Sequence, residues 1–232
     1  MTKDNSAVYV AASFLAGALS MFVASKLFSK PEDRDNAGAV VEGNDLSLFY
    51  GDIKELTTIT KSSKFLPGEL YSKMVQDCVI CCVDCLIVRI NPDKNNRKEC
   101  LLVLRGSEPV KGVWWLPGGR LLKGETFFAA ARRKAMQETG LSKVNPIQVL
   151  GIWNTFFPTS NWDTTKAKGT QTVNPIVLVE LEESGADVKL DNTSEEWKWI
   201  GLDPDEAIAN KEDKYVVQAL LRLRAWNPNY NA

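Results

Sequence analysis

Residues Trp114 to Leu141, WWLPGGRLLKGETFFAAARRKAMQETGL, hold the chain's densest set of side chains able to do chemistry. Pro117-Gly118-Gly119 is a turn where backbone can approach a ligand closely, because glycine has no Cβ to keep it away. After Gly124-Glu125 the spacing predicts a helix, FFAAARRKAMQET, closed by Gly140 in the left-handed conformation that ends many helices. Along that helix Ala130, Arg133, Lys134, Gln137 and Glu138 recur every three or four residues and so share an edge. A strand, a glycine turn and a carboxylate on a helix edge can hold a hard divalent cation against phosphate oxygens. An ordinary amphipathic helix with a solvated charged face accounts for the same residues.

Such a set needs strands to hold it. CVICCVDCLIVRI, from Cys78, and ECLLVLRG, residues 99–106, are rich in β-branched and aliphatic residues, and the polar NPDKNNRK between them reads as the turn of a hairpin. Cys78, Cys81, Cys82 and Cys85 have the look of a zinc cluster, but neighbouring side chains of a strand point to opposite faces, so four thiolates cannot converge there. Small buried hydrophobes are the simpler reading. Asp84 lies inside the same run, where an unpaired carboxylate is costly to bury, so it either ends the buried stretch or faces a polar pocket. Upstream, Pro67-Gly68 followed by Leu70, Met74 and Val75 suggests a short helix leading into the fold. Downstream, EEWKWIG reads as a strand, Asp203-Pro204 as a helix start, and YVVQALLRLRAW as a helix packed on the sheet. The order fits an α/β/α sandwich with a mixed sheet.

The first residues are of another kind. AVYVAASFLAGALSMFVAS, Ala7 to Ser25, runs nineteen residues without a charge, enough for a helix of roughly 30 Å that matches a bilayer core. A retained single-span anchor over 1–28 is the expectation; a cleaved signal peptide is the competing one, disfavoured by Asp4 beside Lys3. Lys26, Lys30 and Arg34 after the span place the following domain on the cytosolic or matrix side. Five cysteines, four of them within eight residues, suit a reducing compartment rather than a disulfide framework. Residues 29–64 are a polar tether and lead-in, and the domain proper is expected over 65–232. The net charge of −1 gives no general pull toward nucleic acid.

The 119–141 segment resembles the Nudix box, G-x5-E-x7-R-E-U-x-E-E-x-G-U, where U is aliphatic. Gly119, Glu125, Arg133, Glu138, Gly140 and Leu141 fall on its fixed positions and Ala135 in its aliphatic slot. Lys134 and Gln137 stand where the pattern has glutamates. Within that superfamily the chain is most similar to GDP-mannose mannosyl hydrolases, over about Phe65 to Trp226. The likeness includes VDCLIV, LVLRGSEPVKGVWWLPGGR, GIWNTFFP, VNPIVLVEL and DNTSEEWKWI.

The resemblance implies that Asp84, Arg105 and Arg120 hold a nucleotide-sugar. It also implies that Gly118, through its carbonyl, and Glu138 bind Mg²⁺ or Mn²⁺, and that Arg133 stabilises the leaving diphosphate. Arginines suit that task, since a guanidinium donates paired hydrogen bonds to phosphate oxygens. Water would attack the anomeric carbon, so the glutamates used elsewhere to activate water on phosphorus could be lost without ending activity. The family's histidine base has no counterpart, because the chain contains no histidine. Glu195 and Glu196, next to the matching Ser194, are expected to supply the missing base or ligand. Lys134 lies four residues before Glu138, within ion-pair reach, and its ammonium should weaken metal binding. Two functions follow: hydrolysis of a nucleoside-diphosphate sugar, or ligand binding with little turnover, as a homodimer or a subunit of a membrane complex.

Overall fold

The computed structural model describes residues 66–163, 168–183 and 185–230. The expected anchor and tether lie outside the described residues. Among the described residues no helix is long and apolar enough to cross a membrane.

Alternation along one strand organises the rest. On β1 (Ile80–Asn91), Val83, Cys85 and Ile87 face one way while Leu86 and Val88 face the other, and all five are buried. Side chains of a strand alternate, so a strand buried on both faces needs a layer on each side. The first face packs on Ala130, Ala131 and Ala135 of α2 (Phe127–Thr139). The second packs on Ala207 of α3 (Pro204–Ala209) and on Val216, Ala219, Leu220 and Leu223 of α4 (Lys214–Trp226). This is the layered mixed-sheet α/β fold that the element order predicts.

β1 runs antiparallel to β2 (Arg97–Arg105) and parallel to β6 (Thr170–Leu181). β6 pairs antiparallel with β5 (Val144–Phe157). β3 (Trp114–Trp115) and β7 (Ser194–Gly201) both pair antiparallel with β2, and β4 (Gly118–Arg120) pairs with β1 at Cys82–Asp84. The β1–β2 hairpin turns through Asn95 and Asn96, both left-handed at φ 54° and 58°, a conformation asparagine tolerates.

Local capping matches the sequence. Thr126 accepts from the Ala129 amide at 3.2 Å to start α2, and Gly140 closes it at φ +71°. Asp203 caps α3, accepting from the Asp205 amide at 3.0 Å. The short helix expected after Pro67 is α1 (Gly68–Asp77). The cysteines are less uniform than expected: Cys85 and Cys100 are buried, Cys81 and Cys82 half-buried, and Cys78 exposed, because β1 begins only at Ile80.

Candidate active site

The turn between β3 and α2 is built around glycines. A Cβ on Gly118 would collide with the Asp84 carboxylate and the Val83 carbonyl, so β4 can lie against β1 only with glycine there. Gly119, at φ +151°, would place a Cβ 2.7 Å from Lys134 Cε and 2.9 Å from its Nζ. The turn is therefore moulded onto the lysine side chain.

A cavity of about 480 Å³ opens beside this turn. Asp84, Arg105, Gly118, Arg120, Lys134 and Glu138 all line it, contributed by β1, β2, β4 and α2. Tyr71 and Trp162 form an aromatic wall, their rings edge-on with centroids 4.8 Å apart. The Arg120 guanidinium lies over the Tyr71 ring, 4.4 Å from its centroid. Arg105 is steadied through its Nε, which donates to the Pro109 carbonyl at 2.9 Å.

Asp84 sits on the buried side. Its Oδ2 accepts from Tyr215 Oη at 2.5 Å and from Asn174 Nδ2 at 2.8 Å. The Thr172 hydroxyl donates to Asn174 Oδ1, which fixes the amide's orientation, and Trp115 stacks on Tyr215 at 4.2 Å. Burial lifts the Asp84 carboxyl to about 6; the hydrogen bonds from Tyr215 and Asn174 hold it from rising further, while the Glu138 charge adds to the rise. Burial, with the Asp84 charge added, also raises the Tyr215 phenol, so it remains a donor. Burial pushes the Cys82 thiol up to about 12, and the Asp84 charge reinforces this, which leaves it no thiolate for attack near neutral pH. The Thr170 hydroxyl, also on the lining, is buried with no hydrogen-bond partner among the described residues.

Arg133 stands outside the lining and is fully engaged. It donates to both oxygens of Glu125, at 2.5 and 2.8 Å, to the Arg120 carbonyl at 2.9 Å and to Gln137 at 3.0 Å. Glu125 also accepts from the Leu122 amide at 2.9 Å, so the pair staples the loop to the helix. Glu195 and Glu196 are exposed on β7 and are not on the cavity lining; Thr193, just before them, is. Glu195 covers Gly106 at a bulge between β2 and β7. Asn174, Tyr215 and Tyr71 join the site without having been marked in the sequence. A lone asparagine inside VNPIVLVEL is the same signal that marks Asp84, whereas nothing local marks a tyrosine on an apolar helix face as a partner for a carboxylate.

A NUDIX domain model matches residues 84–220, more than half of the chain. The chain belongs to the Nudix family. Its curated relatives include the 8-oxo-dGDP phosphatase NUDT18 of Mus musculus, 33% identical over 58 residues, which are 25% of this chain and 18% of that one. They also include the low-salt glycan biosynthesis protein Agl8 of Haloferax volcanii, 31% identical over 101 residues, 44% of this chain and 60% of that one. The matches span less than two thirds of either relative. Among solved structures, a Caenorhabditis elegans Ap4A hydrolase binary complex superposes with a TM-score of 0.50 at 21% identity, covering 66% of this chain and 100% of that one, and shows the shared fold.

Nudix hydrolases generally use divalent metals such as Mg²⁺. In this Nudix domain the acids of the box are already taken. Glu138 Oε2 accepts from the Gly118 amide at 2.9 Å, and Oε1 is 2.5 Å from the Lys134 ammonium. Glu125 is held by Arg133 and the Leu122 amide. Among the described residues no three Asp, Glu, Cys or His side chains gather as a metal would require. A hard cation needs at least one carboxylate oxygen free to bind it directly, whereas here an amide N–H and an ammonium already occupy both oxygens of Glu138. As arranged, this donor set does not fit a resident divalent cation.

Proposed function

We propose that this Nudix domain hydrolyses a nucleoside-diphosphate sugar. The observation that carries the reading is the convergence of three cations, Arg105, Arg120 and Lys134, on a cavity that also offers an aromatic wall and a buried Asp84–Asn174 pair. Cations suit a diphosphate, rings suit a base, and the polar pair suits sugar hydroxyls; about 480 Å³ is within the range of small-molecule sites. The name of Agl8 ties that protein to glycan biosynthesis and the name of NUDT18 ties that one to a nucleoside diphosphate, which sets the order of substrates to try.

In this reaction a water oxygen bonds to the anomeric carbon as the bond from that carbon to the phosphate oxygen breaks. The proton passes to a carboxylate, and the leaving diphosphate's charge is met by Arg105, Arg120 and Lys134. Asp84 is the candidate base inside the cavity, its proton affinity moved toward neutrality. Glu195 and Glu196 are the candidates outside the lining, and would reach the water only by rearrangement of β7's start. A panel of nucleotide-sugars and nucleoside diphosphates, run in ¹⁸O water, tests the reading. Label on the sugar is expected. Label on phosphate, or no turnover of any substrate with or without Mg²⁺ or Mn²⁺, rules it out. Asp84→Asn should abolish turnover, while Glu195→Gln and Glu196→Gln identify which carboxylate is the base if it does not.

A second reading, ligand binding with little turnover, is favoured by the occupied oxygens of Glu138. Tight binding of a nucleotide-sugar that survives intact would establish it. Residues 7–25 would in either case tether the domain to a membrane on its cytosolic or matrix side. Alkaline carbonate extraction tests this: the full chain should stay in the pellet, and a chain lacking residues 1–28 should be released.

A further inference from the structure

Lys134 is held as firmly as a ligand would be. Its ammonium lies 2.5 Å from Glu138 Oε1, both side chains are largely buried at 14% and 9% exposure, and the missing Cβ of Gly119 makes room for its last carbon. Glu138 is itself oriented by the Gly118 amide. The result is a positive charge fixed on α2, on the cavity lining, with one carboxylate beneath it. Two carboxylates at these helix positions would attract a divalent cation. A carboxylate and an ammonium leave no net charge to attract one, and a cation approaching Glu138 would be repelled by the ammonium paired with it. An ammonium has three donors and no demand for octahedral geometry, so it can keep Glu138 and still donate outward.

We propose that Lys134 replaces the divalent cation in this chain: its ammonium, seated on Glu138, donates directly to the phosphate oxygens of a bound diphosphate. Arg105 and Arg120 complete the cationic set on the same lining. The pocket therefore takes nucleoside diphosphates without metal. The inference rests on the diphosphate reading of the cavity, and a binding experiment separates the two.

Calorimetric titration with GDP and with inorganic pyrophosphate, in excess EDTA and in excess Mg²⁺, supplies the first measurement. The full-length protein should bind GDP with the same affinity in both buffers, to within roughly threefold. Lys134→Gln should weaken metal-free binding by about tenfold or more, whereas Lys134→Arg, which keeps a cationic donor, should retain it. Lys134→Glu should bind GDP only with Mg²⁺. Mn²⁺ paramagnetic resonance without nucleotide gives the second: Lys134→Glu should bind the ion and the natural chain should not. Circular dichroism shows whether each variant folds, and the natural chain in EDTA against Mg²⁺ decides the matter if one does not. GDP binding that requires Mg²⁺, equal metal-free binding by Lys134→Gln, or equal Mn²⁺ binding by the natural chain and Lys134→Glu would overturn the inference alone. Absence of binding by both GDP and pyrophosphate in every buffer would overturn the diphosphate reading of the cavity and this inference with it.

Discussion

Asp84 shows how neighbouring side chains tune a single buried carboxyl. Burial alone would carry its carboxyl well above the ordinary range, and the phenol of Tyr215 and the amide of Asn174 hold it at about 6. Tyr215 is thus a positioning residue, and its ring has a separate task in stacking on Trp115. Tyr215→Phe keeps the ring and removes the donor. A hydrogen bond to a charged group is worth about 1.5–3 kcal/mol, so the carboxyl should rise by about one to two pH units. If Asp84 is the base, the acid limb of the pH–rate profile should move up by that amount, a readout that a loss of stability alone would not give. A profile that stays put would remove Asp84 from the proton transfer. Gly118 makes a different kind of contribution, since a Cβ there collides with backbone as well as with Asp84. Gly118→Ala should cost about 1–3 kcal/mol in urea unfolding, the usual range for overpacking.

At the scale of elements, the site is a loop held between β4 and α2 by one ion pair. Arg133 and Glu125 are 18% and 13% exposed, and between them they hold the Leu122 amide and the Arg120 carbonyl. Glu125→Gln leaves Arg133 without its charge partner beside Arg120, the last residue of β4. A loss of about 1–3 kcal/mol of stability is expected, with weaker substrate binding because Arg120 loses its support; unchanged binding would show that Arg120 does not depend on this ion pair. The elements themselves are legible in the sequence because their signals are local. Gly140 marks the end of α2, Asp203-Pro204 the start of α3, and the asparagines of NPDKNNRK the β1–β2 turn. The i,i+4 spacing likewise predicts the Lys134–Glu138 pair. The illegible part of the site depends on contacts across the chain. Asn174 is 90 residues from Asp84 and Tyr215 is 131 residues from it. The bulge that turns Glu195 over Gly106 follows from the pairing of β7 with β2, which no stretch of sequence near Glu195 specifies.

For the molecule as a whole, two buried carboxylates set opposite limits on stability. Glu99 is 2% exposed at the β1–β2 hairpin; burial would raise its carboxyl, but hydrogen bonds from Lys94, Arg89 and Asn91 outweigh this and bring it from 4.5 down to about 2. A folded-state value below the unfolded one stabilises the protein above about 4.5, and that contribution fades as the pH falls toward 2. Asp84 works the other way. Its folded-state value near 6 lies above the ordinary 3.8, so the fold carries no penalty below 3.8 and loses stability as the pH rises through 6. The two together predict a maximum between roughly pH 3.8 and 4.5, with a fall on each side from a different residue and a levelling-off above about 6. Urea unfolding across pH 3 to 8 would trace both limbs. Asp84→Asn, whose amide oxygen can still accept from Tyr215 and Asn174, should flatten the alkaline limb. It should gain up to about 3 kcal/mol at pH 8 and little at pH 4. Glu99→Gln should flatten the acid limb and leave the alkaline one intact. An Asp84→Asn protein less stable than the natural chain at pH 8 would mean that the charged carboxylate is a structural asset, and that its burial was not kept at the expense of stability for the sake of the site.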